Sequence, residues 1–341
     1  VLKAAKGLDI ETIVVDNASV DGSVEMMREK FADVTLIANE DNRGFSKANN
    51  QGIRIASGEL ILLLNPDTVV QEDTFQHTID FMKSHPDCGG LGCMMLDGNG
   101  QFLPESKRGL PTPAVAFHKI FGLSALFPSS KRFGRYHLGY LDKNEDHEIE
   151  ILSGAFMLMR KEALEKVGLL DEDFFMYGED IDLSYRIIQG GWKNYYTAGT
   201  RIIHYKGEST KKSSVNYVFV FYRAMIIFAR KHFSSKNARL FSFFINLAIY
   251  FRAAVALVGR AARTLALPVL DGLGIILLLW LVKKGYEATT GIFIWRSMWQ
   301  FAFPLYALTW VIAMAFNGLY MPPVRAKGIV LGTLYGTIAI L

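Results

Sequence analysis

The sequence predicts an α/β domain built on a mostly parallel mixed sheet, followed by transmembrane helices. Three observations carry that expectation. Up to about Ser214, short apolar runs alternate with stretches of helical periodicity. Carboxylates follow the apolar runs, at the strand ends where open α/β sheets build their sites. Beyond Ser214, long apolar runs dominate.

Thr12–Val15 reads as a short buried strand. Asp21 or Ser23 can cap a helix through Glu25, Met26 and Met27. Val34–Ala38 is a second strand, and Gly44–Ser57 a helix ended by Gly58. Leu60–Leu64 is continuously apolar, as a strand buried on both faces would be. Glu72–Ser84 sets Phe75, Ile79 and Met82 on one helical face, and Leu91–Leu96 is another strand. From Gly98 to about Glu148 periodicity weakens and aromatics alternate with Pro, Gly, Ser and Lys, the composition of a lid or substrate loop. Ile149–Arg160 reads as a strand around Gly154, Glu162–Val167 as a helix stopped by Gly168, and Asp180–Gln189 as a helix ended by Gly190 and Gly191. Trp192–Thr197 and Thr200–His204 are strand-like.

The predicted division is a catalytic domain over 1–214, an amphipathic membrane-surface helix over 215–238 and a membrane region of three to four helices over 239–341. Its segments are Leu240–Val258 with Arg252, Leu265–Val282 with Pro268 and Asp271, the uncharged Met298–Tyr320, and a short one from Gly328. Half of the 341 residues are hydrophobic and the net charge is only +4. The basic residues Arg230, Lys231, Lys236, Arg239, Lys283 and Lys284 gather beside the apolar runs, which favours membrane lipids over nucleic acid as partner. Cys88 and Cys93 lack the companions a metal site needs and read as buried thiols of a reducing compartment. The chain begins at Val1 and its last apolar segment is short, as in a piece of a longer protein.

Four motifs carry chemistry. Asp16-Asn17-Ala18-Ser19-Val20-Asp21-Gly22-Ser23 follows a strand; Asp16 is either a turn former or the acceptor of a pyrimidine imide N–H. Asn42–Asn50 opens a helix, where Arg43 or Lys47 can meet a phosphate or line a solvated face. Asn65-Pro66-Asp67 is either a β-turn or a Mg²⁺ or Mn²⁺ ligand, because hard cations take one or two carboxylates plus substrate phosphates. Glu179-Asp180-Ile181-Asp182 starts a helix, as a dipole-stabilised cap or with Asp180 as general base. His204 ends a strand as a structural histidine or metal ligand, ahead of a loop with Gly207, Lys211 and Lys212.

Taken with Gly154-Ala155-Phe156, Arg160, Gly168–Asp182, and His204 with Gly207 and Ser209, these motifs resemble the family 2 glycosyltransferases of the GT-A (nucleotide-diphospho-sugar transferase) fold. The likeness runs to about Ser214 and is strongest to the branch that includes bacterial rhamnosyltransferases. It implies inverting transfer from a UDP- or dTDP-sugar, with dTDP-rhamnose the first choice, to a hydroxyl of a glycan or polyprenyl-linked acceptor at a bacterial inner membrane, the catalytic domain facing the cytoplasm. It assigns nucleotide binding to Asp16, Asn17, Ser19, Asn42, Gly44, Asn49 and Asn65. It assigns sugar contacts to Gly154, Glu179, Asp182 and Trp192, metal binding to Asp67 and His204, and the base to Asp180. Three departures stand out. Asn65 replaces a carboxylate, the Gln-x-x-Arg-Trp stretch of processive synthases is absent, and the family's first strand is missing ahead of Val1. A nucleotidyltransferase on a similar fold and a non-catalytic membrane scaffold are the rival readings.

Overall fold

The computed structural model describes residues 1–205, 215–320 and 326–341, without some side chains at 120 and within 215–263. It divides into two compact units, Val1–Ala248 and Ile249–Leu341.

In the first unit, β1 (Ile13–Asn17) and β2 (Thr35–Asn39) form a parallel pair, joined through α1 (Ser23–Lys30). The cap expected of Asp21 or Ser23 is instead Gly22 in the left-handed region, with Asp21 accepting the Ser23 N–H at 3.1 Å. Next come α2 (Phe45–Ile55), β3 (Leu60–Leu64), β4 (Thr68–Val70), α3 (Thr74–Ser84) and β5 (Cys88–Leu96). The stretch expected to be irregular holds two short helices, α4 (Pro113–Ile120) and α5 (Leu123–Leu126), before β6 (His147–Ile149). Then follow β7 (Phe156–Arg160), α6 (Lys161–Val167), α7 (Glu179–Gln189) and β8 (Lys193–His204). The strand expected over Ile149–Arg160 is thus broken at Gly154. The two strand-like runs before His204 are one strand, whose register against β5 shifts between Cys93 and Met94.

The main sheet has the order β3-β7-β5-β8-β4, with β6 also on β8. It is mostly antiparallel, which corrects the mostly parallel sheet read from the sequence. Among the described residues β5–β8 is its one parallel pairing; β3–β7, β5–β7, β4–β8 and β6–β8 are antiparallel. The reason is physical. A continuous apolar run reports burial on both faces and carries no strand direction. Here β7 returns between β3 and β5 after the long insertion, so it arrives antiparallel.

Strand alternation divides the core between the two faces. Phe156 and Leu158 join Phe75, Phe81, Met82 and Leu91 on one face, while Met157 and Met159 join Ile61, Leu63, Leu164, Leu183 and Ile187 on the other. Cys88 and Cys93 are free and buried, as expected, and burial pushes the Cys88 thiol up to about 12.

The helix α8 (Val215–His232) is docked on α7 by Ala224, Met225, Phe228 and Ala229, all buried. So part of its apolar face meets protein. Its last turn clasps the fully buried Asp182. Arg186 Nε lies 2.7 Å from that carboxylate, His232 Nε2 2.6 Å and Lys231 Nζ 2.9 Å. Lys231 also reaches Asp171 at 2.5 Å.

In the second unit, α9 (Ser235–Thr290) continues from the first as one 56-residue helix that includes Pro268. Two stretches are long and apolar enough to cross a membrane, Thr264–Thr290 and Met298–Phe316. The second runs through a π-helical turn into α10 (Phe303–Phe316). The segment expected over 240–258 falls largely on side chains outside the described set. The one expected from Gly328 is the short α11 (Ala326–Ile340). Gly332 faces Met314 and Gly336 faces Trp310, the small-residue contact by which apolar helices approach closely. Asp271 accepts the Tyr320 hydroxyl at 2.9 Å and Lys283 pairs with Glu287 at 2.8 Å, so these polar groups have partners.

Removing the Asp182 carboxylate strands two cations, Arg186 and Lys231, and the His232 ring beside a buried site. Asp182→Ala is expected to lower unfolding stability by about 3–5 kcal/mol, read from denaturation of the detergent-solubilised chain. Burial opposes the Asp182 charge, but the His232 hydrogen bond and Arg186 outweigh it and hold the carboxyl at about 2, below its ordinary 3.8. The clasp is therefore intact above about pH 4 and lost as pH falls through about 2; the wild-type advantage over the alanine variant should shrink across that interval.

Candidate active site

At the end of β3 the chain makes a tight turn, Asn65-Pro66-Asp67. The Thr68 amide donates to Asn65 O at 3.2 Å, and the Asn65 amide donates to Ala155 O at 3.1 Å. The turn reading and the site reading hold together, because the turn is what presents Asp67. The β4–β8 register pairs Thr68 with His204, and the Tyr205 amide donates to Asp67 O at 3.0 Å. His204 Nε2 consequently lies 3.2 Å from Asp67 Oδ1, both side chains being largely buried. Asp67 Oδ1 has no hydrogen-bond partner of good geometry among the described residues. No group of three or more His, Cys, Asp or Glu gathers among the described residues. A buried acceptor beside an imidazole fits a divalent cation that draws its other ligands from a diphosphate. The loop with Gly207, Lys211 and Lys212, which the sequence suggests could close over a diphosphate, lies outside the described residues, as does Ser209.

Of the expected nucleotide residues, Asn17, Asn42 and Gly44 form one network beyond the end of β1, while Asp16 with Ser19, and Asn49, make separate local bonds and Asn65 lies at the end of β3. Asn17 Nδ2 donates to Asn42 Oδ1 at 2.9 Å, and Asn17 Oδ1 accepts the Arg43 amide at 3.0 Å. Asp16 Oδ1 accepts the Ser19 amide at 2.9 Å across Ala18, whose φ of 68° is costly for a residue with a side chain. Asn49 Nδ2 bonds Phe45 O at 2.9 Å, and Arg43 pairs with Asp41 at the surface. Gly44 has φ +82°, and a Cβ there would come within 2.7 Å of Phe175 O. That close approach lets the Phe45 amide donate to Phe175 O at 2.7 Å. Asn50 adds a buried clamp, donating to Leu170 O at 2.8 Å and accepting the Leu170 amide at 3.1 Å.

These clamps carry the chain toward α7. The loop ends with Tyr177 and Gly178 both at positive φ, and Asp180 emerges beside Gly154. The Gly154 amide donates to Asp180 Oδ2 at 3.3 Å and the Ile181 amide to Oδ1 at 2.8 Å. A Cβ on Gly154 would lie 3.7 Å from Asp180 Cβ and 3.8 Å from the Phe45 ring, so its missing side chain leaves room there. The backbone steps from Asp180 through Gly154 and Ala155 to Asn65, which makes one continuous site.

Arg108 completes it. Its Nη2 donates to Asp180 Oδ2 and to Leu152 O. Burial disfavours its charge, but Asp180 outweighs that and holds Arg108 above its usual pKa. Sequence reading passed over Arg108 because it lies in the insertion; the signal was a basic pair, Lys107-Arg108, in an otherwise apolar and turn-rich stretch. Glu179 is buried and its Oε2 has no hydrogen-bond partner among the described residues. Burial, then the neighbouring Asp180 charge, push its carboxyl up to about 8.

Two expected sugar ligands lie elsewhere. Asp182 faces away from Asp180, its oxygens taken up by Arg186, Lys231 and His232. Trp192 sits past the opposite end of α7, roughly 16 Å along the helix from Asp180, against Gly89 and 5.8 Å from the Arg160 guanidinium. A separate cleft of about 550 Å³, lined by residues such as Glu72, Asp73, Asn144 and Arg201, contains none of the expected site residues.

The Asp67–His204 corner, the Asn17–Asn42 network and the Glu179–Asp180 pair lie on an α/β domain, the class of protein that places such groups at strand ends. Residues 1–168 match the model of Glycosyl transferase family 2, and this domain is a family 2 glycosyltransferase with a GT-A-like α/β fold. The chain is 25% identical over 239 residues to the N-acetylglucosaminyl-diphospho-decaprenol L-rhamnosyltransferase of Mycobacterium tuberculosis, covering 67% of this chain and 76% of that protein. It is 30% identical over 181 residues to the low-salt glycan biosynthesis hexosyltransferase Agl10 of Haloferax volcanii, 52% of each chain. Among solved structures, the mannosyltransferase PcManGT of Pyrobaculum calidifontis with GDP-Man and Mn²⁺ aligns with TM-score 0.45 and 18% identity over 89% of this chain and 77% of that one.

Glu179 gives the site a pH signature. Between about pH 4.5 and pH 8 the unfolded chain ionises at this position while the folded chain keeps its proton, so the group's contribution to stability falls as pH rises. Glu179→Gln is expected to abolish that decline, gaining on wild type between about pH 5 and pH 8 in denaturant titrations. Parallel curves for the two proteins would place the Glu179 pKa near its ordinary value.

Proposed function

We propose that this glycosyltransferase moves a sugar, with inversion, from a UDP- or dTDP-linked donor to a hydroxyl of a lipid-linked glycan. The observation that carries the reading is the placement of Asp180 beside Gly154, one backbone step from the turn that presents Asp67 to His204. Asp180 takes the proton of the acceptor hydroxyl as its oxygen attacks the anomeric carbon. The new C–O bond forms as the bond to the diphosphate breaks, and the nucleoside diphosphate leaves. Arg108 and the Gly154 and Ile181 amides hold the carboxylate in one orientation. Asp67 and His204 are the residues that would hold Mg²⁺ or Mn²⁺, and such an ion supplies positive charge to the departing diphosphate. The Asn17–Asn42 network with Asp16 binds the nucleotide, and Gly154 leaves space for a sugar ring.

The name of the mycobacterial relative supports a rhamnosyl donor and a diphospho-polyprenol-linked acceptor. The candidate spans Thr264–Thr290 and Met298–Phe316 support a place at the inner membrane, with 1–214 on the cytoplasmic side where nucleotide sugars are made, 215–238 along its surface and 239–341 within it.

The test is donor turnover by the detergent-solubilised chain with Mn²⁺ or Mg²⁺, a panel of UDP- and dTDP-sugars, and lipid extract as acceptor. Release of UDP or dTDP is expected, falling about 10²- to 10⁴-fold in Asp180→Asn, and lost in Asp67→Ala and on chelation. Release of pyrophosphate would instead identify nucleotidyl transfer. Full activity in Asp180→Asn would remove that residue from the base role.

A further inference from the structure

The insertion between β5 and β6 carries a basic cluster that proton transfer at Asp180 does not use. Lys119, on α4, sets its Nζ against His137 Nε2 and 4.8 Å from the centre of the Tyr136 ring. Tyr136 is held beside Arg108: the Gly109 amide donates to Tyr136 O at 3.1 Å, and the Arg108 charge acts on the buried phenol. Gly109 is required for this closeness, because a Cβ there would strike Arg135 O. Lys107 is buried at 2% exposure, with Nζ bonded to two carbonyls, Leu138 O at 2.8 Å and Leu141 O at 2.6 Å. Among the described residues no ion pair includes Lys107 or Lys119.

Arg108 has Asp180 as counter-charge, whereas Lys119 has none among the described residues, and the imidazole between them registers both cations. Burial, then the Lys119 and Arg108 charges, push His137 down to about 3. Burial also lowers Lys119. A solvated basic face would spread such side chains apart. Here one is turned onto an imidazole nitrogen and an aromatic face, next to a guanidinium that already reaches the acidic pair. An ammonium set on an imidazole and an aromatic face, with no ion-pair partner among the described residues, suits an anion with several acceptor oxygens. A neutral sugar hydroxyl calls for no such excess of positive charge.

We propose that Lys119, His137 and Tyr136, next to Arg108, bind the phosphate or diphosphate group of the acceptor substrate. The proposal rests on glycosyl transfer at Asp180, because only that reading makes the neighbouring anion an acceptor group. It gives the two diphosphates of the reaction separate places: the donor's at Asp67 and His204, the acceptor's on the insertion. The packing of α4 supports this, since Phe117 sets its ring 5.3 Å from that of Phe244 in α9, which fixes the Lys119 helix to the remainder of the unit.

The experiment is calorimetric titration of the detergent-solubilised full chain with inorganic pyrophosphate in EDTA, which silences the metal corner. Wild type is expected to bind, with Lys119→Gln and His137→Gln each weakening binding at least about tenfold, and Lys119→Arg retaining it. Lys166→Gln, an exposed side chain in the last turn of α6, should stay within about twofold of wild type. Polyprenyl diphosphate in micelles competing more strongly than inorganic pyrophosphate identifies a lipid-linked source; equal competition identifies a free diphosphate. Absence of binding to wild type, or equal binding by the Gln variants, overturns the site. Should Lys119→Gln fail to fold, His137→Gln and Lys119→Arg decide the matter. Release of nucleoside diphosphate from the donor is measured separately. Pyrophosphate binding without donor turnover sinks the reaction and leaves the anion site; turnover without that binding does the reverse.

Discussion

The antiparallel register of β7 on β3 is the constraint from which the site follows. Leu64 is paired with Phe156, so the chain entering β7 passes the end of β3 as Ser153, Gly154 and Ala155. Ala155 O then ties down the Asn65 amide, and the Gly154 amide bonds Asp180. One strand pairing thereby fixes the spacing between the turn that presents Asp67 and the helix that presents Asp180. A slip of one residue would exchange Phe156 and Leu158 for Met157 and Met159 in their core layer; all four are apolar, so side-chain shape and the bond from the Asn65 amide to Ala155 O, rather than polarity, distinguish the observed register.

The element pattern was largely legible because helices and buried strands have distinct apolar periods. Direction was not. Leu60–Leu64 and Phe156–Arg160 read as buried strands whichever way they run, and the insertion hid the return of β7 between β3 and β5. The motif residues at turns, Asp67, Gly154 and Asp180, were legible because their neighbours constrain the backbone locally. Asp182 misled for the same reason: a carboxylate in the first turn of a helix looks functional wherever it points. What commits it to structure is α8, 50 residues onward, through His232. Arg108 was missed because its meaning depends on Asp180, 72 residues away.

Glu179 and Asp180 illustrate how burial divides the work of adjacent carboxyls. Asp180 has Arg108 and two amides around it, while Glu179 has no partner for Oε2 among the described residues and so favours its protonated form. Two ionised carboxylates side by side in this pocket would repel. Burial of Glu179 thus sets its protonated form beside the carboxyl group that Arg108 and the Gly154 amide hold in place.

The two halves of the site rest on different kinds of structure. The Asp67–His204 corner is held by strand pairings, and the nucleotide side by the network beyond the end of β1. The opposite side is supplied by the insertion, whose Arg108 reaches Asp180 from outside the main sheet. Sheet pairings tolerate little change without losing register, whereas an insertion of short helices and turns can vary in length and charge at small cost to the core. Chemistry common to all donors therefore belongs on the sheet. On the proposed reading, acceptor recognition sits on the insertion, where Lys119 and His137 can change without disturbing the strands that position Asp67 and Gly154.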